Sequence, residues 1–110
     1  MNDLRSTCVF CGANEGKHAY FLEAALQLAD QLVEQRIDLV YGGGSIGLMG
    51  VIAEAVNAGG REVLGIIPRS LKTKEVVGKV YGELVVVETM HERKALMAQH
   101  ADAFIAMPGG

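Results

Sequence analysis

Tryptophan is absent from the 110 residues, proline occurs only twice, and aromatic side chains make up 5%. Scarce proline beside 14 glycines argues against a disordered segment and fits the tight turns of an α/β fold. A basic excess is also lacking: Lys and Arg number 10 against 13 Asp and Glu, for a formal charge of −3. General nucleic-acid affinity needs basic patches that neutralise phosphates, so no nucleic-acid partner is expected. One small phosphorylated ligand stays open. No apolar run approaches the roughly 18 residues of a membrane span, so no membrane partner is expected. The opening Met1-Asn2-Asp3-Leu4-Arg5 lacks the basic-then-apolar order of a signal peptide, which makes the cytoplasm the default location. Only two cysteines occur, in Cys8-Val9-Phe10-Cys11. As a zinc site this C-x-x-C lacks ligands, because His18, His91 and His100 have no partner spacing. As a redox pair it would normally begin a helix, whereas here it closes a strand.

What is present reads as one domain over residues 1–110, with half of the residues apolar and a thin stability margin. Residues 7–10, 37–41, 62–67, 84–87 and 102–107 read as short apolar strands. Helical spacing runs over residues 18–35, where Leu22, Ala25, Leu26, Ala29 and Val33 recur at three and four. Further helices are expected over 46–58, stopped by Gly59-Gly60, and over 90–101, with Met90, Lys94, Met97 and Ala101 close to one face. Residues 72–83 are charged and glycine-punctuated, and read as a surface loop that has room for a helical turn. Strands alternating with helices imply parallel pairing and right-handed crossovers. Near-continuous apolar strands suit a sheet covered on both faces. The expected fold is α/β, a Rossmann-like doubly wound parallel sheet. The last apolar run leads into Pro108-Gly109-Gly110, the usual entry to a phosphate-cradling turn and helix. The fold is therefore expected to be incomplete at its C-terminus, with a sheet face or edge left bare.

Chemistry gathers at three strand ends. Tyr41-Gly42-Gly43-Gly44-Ser45-Ile46-Gly47-Leu48-Met49-Gly50 lies between a strand and a helix, where glycines admit a ligand and the helix N-terminus offers free N–H groups. Gly42, Gly44 and Gly47 satisfy G-x-G-x-x-G formally. As a dinucleotide fingerprint this is weak, since it follows the second strand and no acidic residue closes the next one. A plain tight turn and a mononucleotide or sugar-phosphate site stay open, the latter favoured. Met90-His91-Glu92-Arg93-Lys94 opens a helix directly after a strand, where Arg93 and Lys94 bring cations to an anion. A solvated charged helix start is the alternative. Pro108-Gly109-Gly110 is the third. Their convergence on one pocket is the argument; none of them suffices alone. His91 and His100 read as structural, and Glu54 and Glu62 as ordinary polar positions.

Val9-Phe10-Cys11-Gly12, Tyr41 to Gly50, Met90 to Lys94 and Pro108-Gly109-Gly110 together resemble the LOG ("Lonely Guy") family of cytokinin-activating enzymes, often labelled lysine decarboxylase. The paired signatures G-G-G-S-x-G-L-M-G and M-H-x-R-K carry the resemblance over nearly the whole chain. It implies a phosphoribohydrolase that splits a nucleoside 5′-monophosphate, such as AMP or an N6-substituted AMP, into free base and ribose 5-phosphate. By position it places Glu75, Arg93, Lys94, Gly109 and Gly110 at substrate, the Gly42 to Gly47 turn with Gly43, Gly44, Ser45 and Gly47 in the pocket floor, and Arg93 as the catalytic arginine. No metal or organic cofactor is implied, and a homodimer is. The family motif continues P-G-G-x-G-T-x-x-E, and its catalytic glutamate belongs to the part beyond Gly110. Glu75 and Glu92 are the nearby carboxylates here, and neither matches that position. The first turn reads Cys11-Gly12-Ala13-Asn14 where the family usually has serines. No lysine has a pyridoxal phosphate context. A non-catalytic nucleotide-binding or carrier module on the same fold is the alternative function. A purely structural assembly piece is a third.

Overall fold

A computed structural model describes residues 4–10, 19–45, 47–76 and 79–107. Within them β1 (Ser6–Phe10), α1 (Ala19–Glu34), β2 (Asp38–Tyr41), α2 (Leu48–Ala58), β3 (Val63–Pro68), α3 (Arg69–Glu75), β4 (Glu83–Val87), α4 (Met90–His100) and β5 (Ala103–Ala106) follow in order. The strands form one sheet in the order β4-β3-β2-β1-β5. All neighbours run parallel, with Cys8 opposite both Val40 and Phe104. Three strands, β2, β3 and β4, step outward from β1, and α4 then carries the chain back to β5 on the other side of β1. That reversal makes the sheet doubly wound.

Alternation along the strands divides the core in two. Val9, Leu39, Tyr41 and Val63 pack against Ala25, Ala29 and Leu32 of α1 and Ile52, Ala53 and Val56 of α2. On the opposite face Cys8, Val40, Ile66 and Val87 meet Met97 of α4. The inner ridge of α1 is rotated from the one its spacing suggests. Ala25 and Ala29 are fully enclosed, whereas Leu22 and Leu26 are exposed. Small alanines let α1 lie close to the sheet and α2, and the two leucines overhang the contact.

Residues 72–83 hold the helical turn expected there: α3 starts before them, occupies Arg69–Glu75, and is entered directly from Pro68 at φ −66° and ψ 143°. It buries no residue, so no apolar period marks it, and Lys72 and Lys74 in its last turn favour the negative end of the helix dipole. On α4 only Met97 of the expected face is buried, while Met90 and Lys94 are exposed. Both faces of the sheet are covered around β2 and β3 but not around β5, where Phe104 is exposed and stacks on exposed Phe10 at 6.1 Å. The first turn at 11–14 and the Pro108-Gly109-Gly110 ending lie outside the described residues.

Candidate functional site

Two of the three expected strand ends meet. β2 leaves the core at buried Tyr41 and enters Gly42–Ser45, with α2 starting at Leu48. Gly43 adopts φ +84°, and a Cβ there would lie 2.8 Å from Leu84 Cδ1. Both the conformation and the packing reserve that position for glycine. Gly47 is the N-cap of α2, at φ 74°.

Helix α4 starts with a cap that fixes its first turn. Thr89 Oγ1 accepts the Glu92 N–H at 3.1 Å, and the Arg93 N–H reaches the Thr89 carbonyl. The T-x-x-E spacing is a capping signature legible in the chain, and the motif reading passed over it. Arg93 then projects across the ends of β2 and β3. Its Nε donates to the Ile66 carbonyl at 2.9 Å and its Nη2 to the Gly42 carbonyl at 2.6 Å. Nη2 also lies 3.7 Å from Glu75 Oε1, and the Arg93 side chain is only 14% exposed. A Cβ on Gly42 would fall 2.3 Å from that Nη2. The guanidinium occupies the space that glycine leaves.

Glu75 closes the cluster from the end of α3. Its carbonyl accepts the Ser45 N–H at 3.0 Å, and its Cβ lies 3.5 Å from the space beside Gly44. Arg93, Glu75, Gly42, Gly43, Gly44 and Ser45 thus form one array at the carboxyl ends of β2, β3 and β4. Ligands gather at such ends in open parallel sheets. Lys94 follows Arg93 on the exposed side of α4 and makes no polar contact with the array among the described residues. Gly109 and Gly110 lie outside the described residues. The carbonyls of Ile66 and Gly42 were missed as parts of the site, because a backbone acceptor carries no residue signal.

The cysteine among the described residues is no ready nucleophile. Cys8 is enclosed under the sheet, and burial pushes its thiol up to about 11, with the Arg93 charge pulling the other way. Burial, and then the neighbouring Tyr81, also raises the Tyr41 phenol above its ordinary range. An open depression at the amino ends of the strands, lined by Arg5, Asp38, Arg61 and His100 among others, lies at the opposite end of the sheet. Its Arg61 is committed to Asp38 at 2.7 Å. Among the described residues no three His, Cys, Asp or Glu side chains group to hold a metal, and no helix is long and apolar enough to cross a membrane.

A doubly wound parallel sheet with a glycine turn and an enclosed arginine at its carboxyl ends defines a Rossmann-like α/β domain. Solved structures agree on the fold: the Moco carrier protein of Chlamydomonas reinhardtii superposes with TM-score 0.74 at 18% identity, over 97% of this chain and 64% of that one. The molybdenum cofactor binding protein of Rippkaea orientalis gives 0.74 at 20% identity, over the same shares. Residues 49–110 match the family model described as "Possible lysine decarboxylase". The chain is 61% identical over 106 residues to cytokinin riboside 5′-monophosphate phosphoribohydrolase LOG2 of Arabidopsis thaliana, covering 96% of this chain and 50% of that protein. It is 58% identical over 106 residues to the LOG enzyme of Oryza sativa subsp. japonica, covering 96% and 44%. The chain belongs to this LOG family. It spans about half the length of the curated relatives it matches.

Proposed function

We propose that the whole protein is a phosphoribohydrolase, and that residues 1–110 form the first part of its single nucleotide-binding domain. The observation that carries this is the seating of Arg93 against the glycine turn and Glu75, in a chain 61% identical to a named phosphoribohydrolase. The substrate is a nucleoside 5′-monophosphate of the AMP type, with or without an N6 substituent. Gly43, Gly44, Ser45 and Gly47 form the floor beneath it. Glu75 borders the floor, in reach of sugar hydroxyls. Arg93 and Lys94 supply positive charge, and the turn that Gly109 and Gly110 begin takes the phosphate.

Cleavage of the N-glycosidic bond passes through an oxocarbenium-like centre, which a carboxylate stabilises while water attacks. In this reading that carboxylate is the glutamate of the P-G-G-x-G-T-x-x-E motif. Arg93 is catalytic by holding the bound substrate's negative charge in a fixed place, and remote phosphate binding orients the sugar for departure of the base. The reaction needs no metal and no organic cofactor. A decarboxylase using a lysine Schiff base is not supported by the described residues, where Lys72, Lys74, Lys79 and Lys94 are exposed and such lysines are activated by desolvation. We place the enzyme in the cytoplasm as a homodimer.

Full-length protein incubated with AMP or isopentenyladenosine monophosphate should release free base and ribose 5-phosphate, read by chromatography. Tight AMP binding without base release would replace this reading with a carrier module. A light-scattering mass of a single chain would remove the homodimer.

A further inference from the structure

The bonding of the Arg93 guanidinium is lopsided. Nε and Nη2 are committed to the carbonyls of Ile66 and Gly42. Nη1 instead faces a thioether, with Met90 Sδ 3.9 Å away. Thioether sulfur is a weak acceptor, so Nη1 keeps capacity for a stronger partner. Met90 and Arg93 stand three residues apart on the first turn of α4, which holds them on one side of the helix. Met90 is also 47% exposed, whereas Met97 is 5% exposed, and Met49 and Met107 are partly buried against the first core. Among the described methionines, Met90 alone meets both solvent and the cation.

We infer that Met90 is an oxidation site whose sulfoxide oxygen captures Arg93 Nη1 and thereby weakens nucleotide binding. The inference rests on the phosphoribohydrolase reading for its effect on turnover. The reactant is hydrogen peroxide. A sulfur lone pair attacks one peroxide oxygen, an S–O bond forms and the O–O bond breaks. The proton on the transferred oxygen passes to the departing hydroxide, which leaves as water. Sulfur is oxidised by two electrons and the peroxide is reduced by two. The product is polar and reversible by methionine sulfoxide reductases. Its oxygen, placed between sulfur and Nη1, accepts a charge-assisted hydrogen bond that the thioether could not. Its partial negative charge also suits the amino end of α4. Cys8 is a poor competitor for the oxidant, since it is enclosed and its thiol stays protonated.

The test uses full-length protein exposed to hydrogen peroxide and then to dithiothreitol, which restores reversibly oxidised thiols but not sulfoxides. Peptide mass spectrometry should find Met90 oxidised ahead of Met49, Met97 and Met107. KM for AMP should rise about tenfold, the size of one charge-assisted hydrogen bond lost to competition, with kcat changed less. Methionine sulfoxide reductase should restore KM. Met90→Leu, compared with its own untreated sample, should not respond. A second readout needs no turnover: side-chain NMR should show slowed Cζ–Nη1 rotation of Arg93 in the oxidised wild type and not in oxidised Met90→Leu. Oxidised Met90 with unchanged KM and unchanged rotation overturns the inference, as does an equal response of Met90→Leu. If untreated protein releases no base from AMP, the enzymatic reading fails by itself, and the NMR comparison alone decides whether oxidised Met90 holds Arg93.

Discussion

At Arg93 a full positive charge sits with 14% of its side chain exposed, between two carbonyls and one carboxylate. Burying such a group is tolerable only because Nε and Nη2 are met by oxygen acceptors. Lysine cannot repeat the arrangement, since one ammonium cannot present a planar fork to both carbonyls. Arg93→Lys should therefore cost about 1–3 kcal/mol of stability from the carbonyl left unmatched. Base release should fall about a hundredfold or more through misplacement of the charge. Urea unfolding and kcat/KM for AMP read the two effects separately. Gly42→Ala displaces the same group without removing it. Gly42 has no positive φ that an alanine would strain, and the atom its Cβ would strike, Arg93 Nη2 at 2.3 Å, ends a flexible side chain. The backbone can stay in place while the guanidinium must leave its seat on the two carbonyls. The expected outcome is a stability loss of about 1–3 kcal/mol from the carbonyls left unmatched, with kcat/KM reduced about tenfold or more. Equal kinetics for Gly42→Ala and wild type would show that the seat of Arg93 does not matter to the reaction.

Among the elements, β5 is attached to β1 by a carboxylate clamp as well as by the strand ladder. Asp102 Oδ2 accepts the N–H groups of Arg5 and Ser6 at 2.9 and 3.1 Å, and the Asp102 N–H returns to the Ser6 carbonyl. The Ser6 hydroxyl donates to the carbonyl of His100, at the end of α4. The Arg5 N–H bond first, and then the Ser6 bond, hold the Asp102 carboxyl below the usual carboxylate range. A depressed carboxyl stabilises the fold fully above its unfolded pKa of about 3.9 and loses that contribution as pH falls through the lower folded value. The stability gap between wild type and Asp102→Asn should therefore be widest near neutral pH and shrink below about pH 4. Thermal melts across that range check the sign; a gap that widens on acidification would contradict it. This clamp was not legible in the sequence, because it joins residues 97 apart. The strands and α1, α2 and α4 were legible, since apolar runs and three-and-four spacing act locally. Helix α3 was legible only as room for a turn, because it buries nothing and so leaves no period. At the site, the glycines and Arg93 were marked by residue type and motif. The carbonyls of Ile66 and Gly42 that seat the guanidinium became visible only once β2 and β3 stood side by side.

The whole molecule has an uneven coat. Helices α1 and α2 cover one face across β1, β2 and β3, and α4 covers the other around β2 and β3. Beyond them, on the second face, Phe10 and Phe104 stack at 6.1 Å with 11° between their planes, and both are exposed. Handedness says what should lie there in the longer protein. Helix α4 crosses on this second face because a right-handed connection from β4 to β5 requires it. A further right-handed crossover that steps outward from β5 keeps to the same face and lays its helix over Phe104. The relatives are about twice as long as this chain, which leaves room for such units. In full-length protein Phe104→Ala should then cost about 3–5 kcal/mol, the usual penalty for emptying an aromatic core position. An uncovered ring would cost about 1 kcal/mol or less, in line with ordinary surface substitutions. Urea unfolding of the two full-length proteins separates the cases. A small loss would mean that the sheet is not continued past β5 in the direction its winding implies, and that the Phe10–Phe104 pair faces solvent or a second subunit instead.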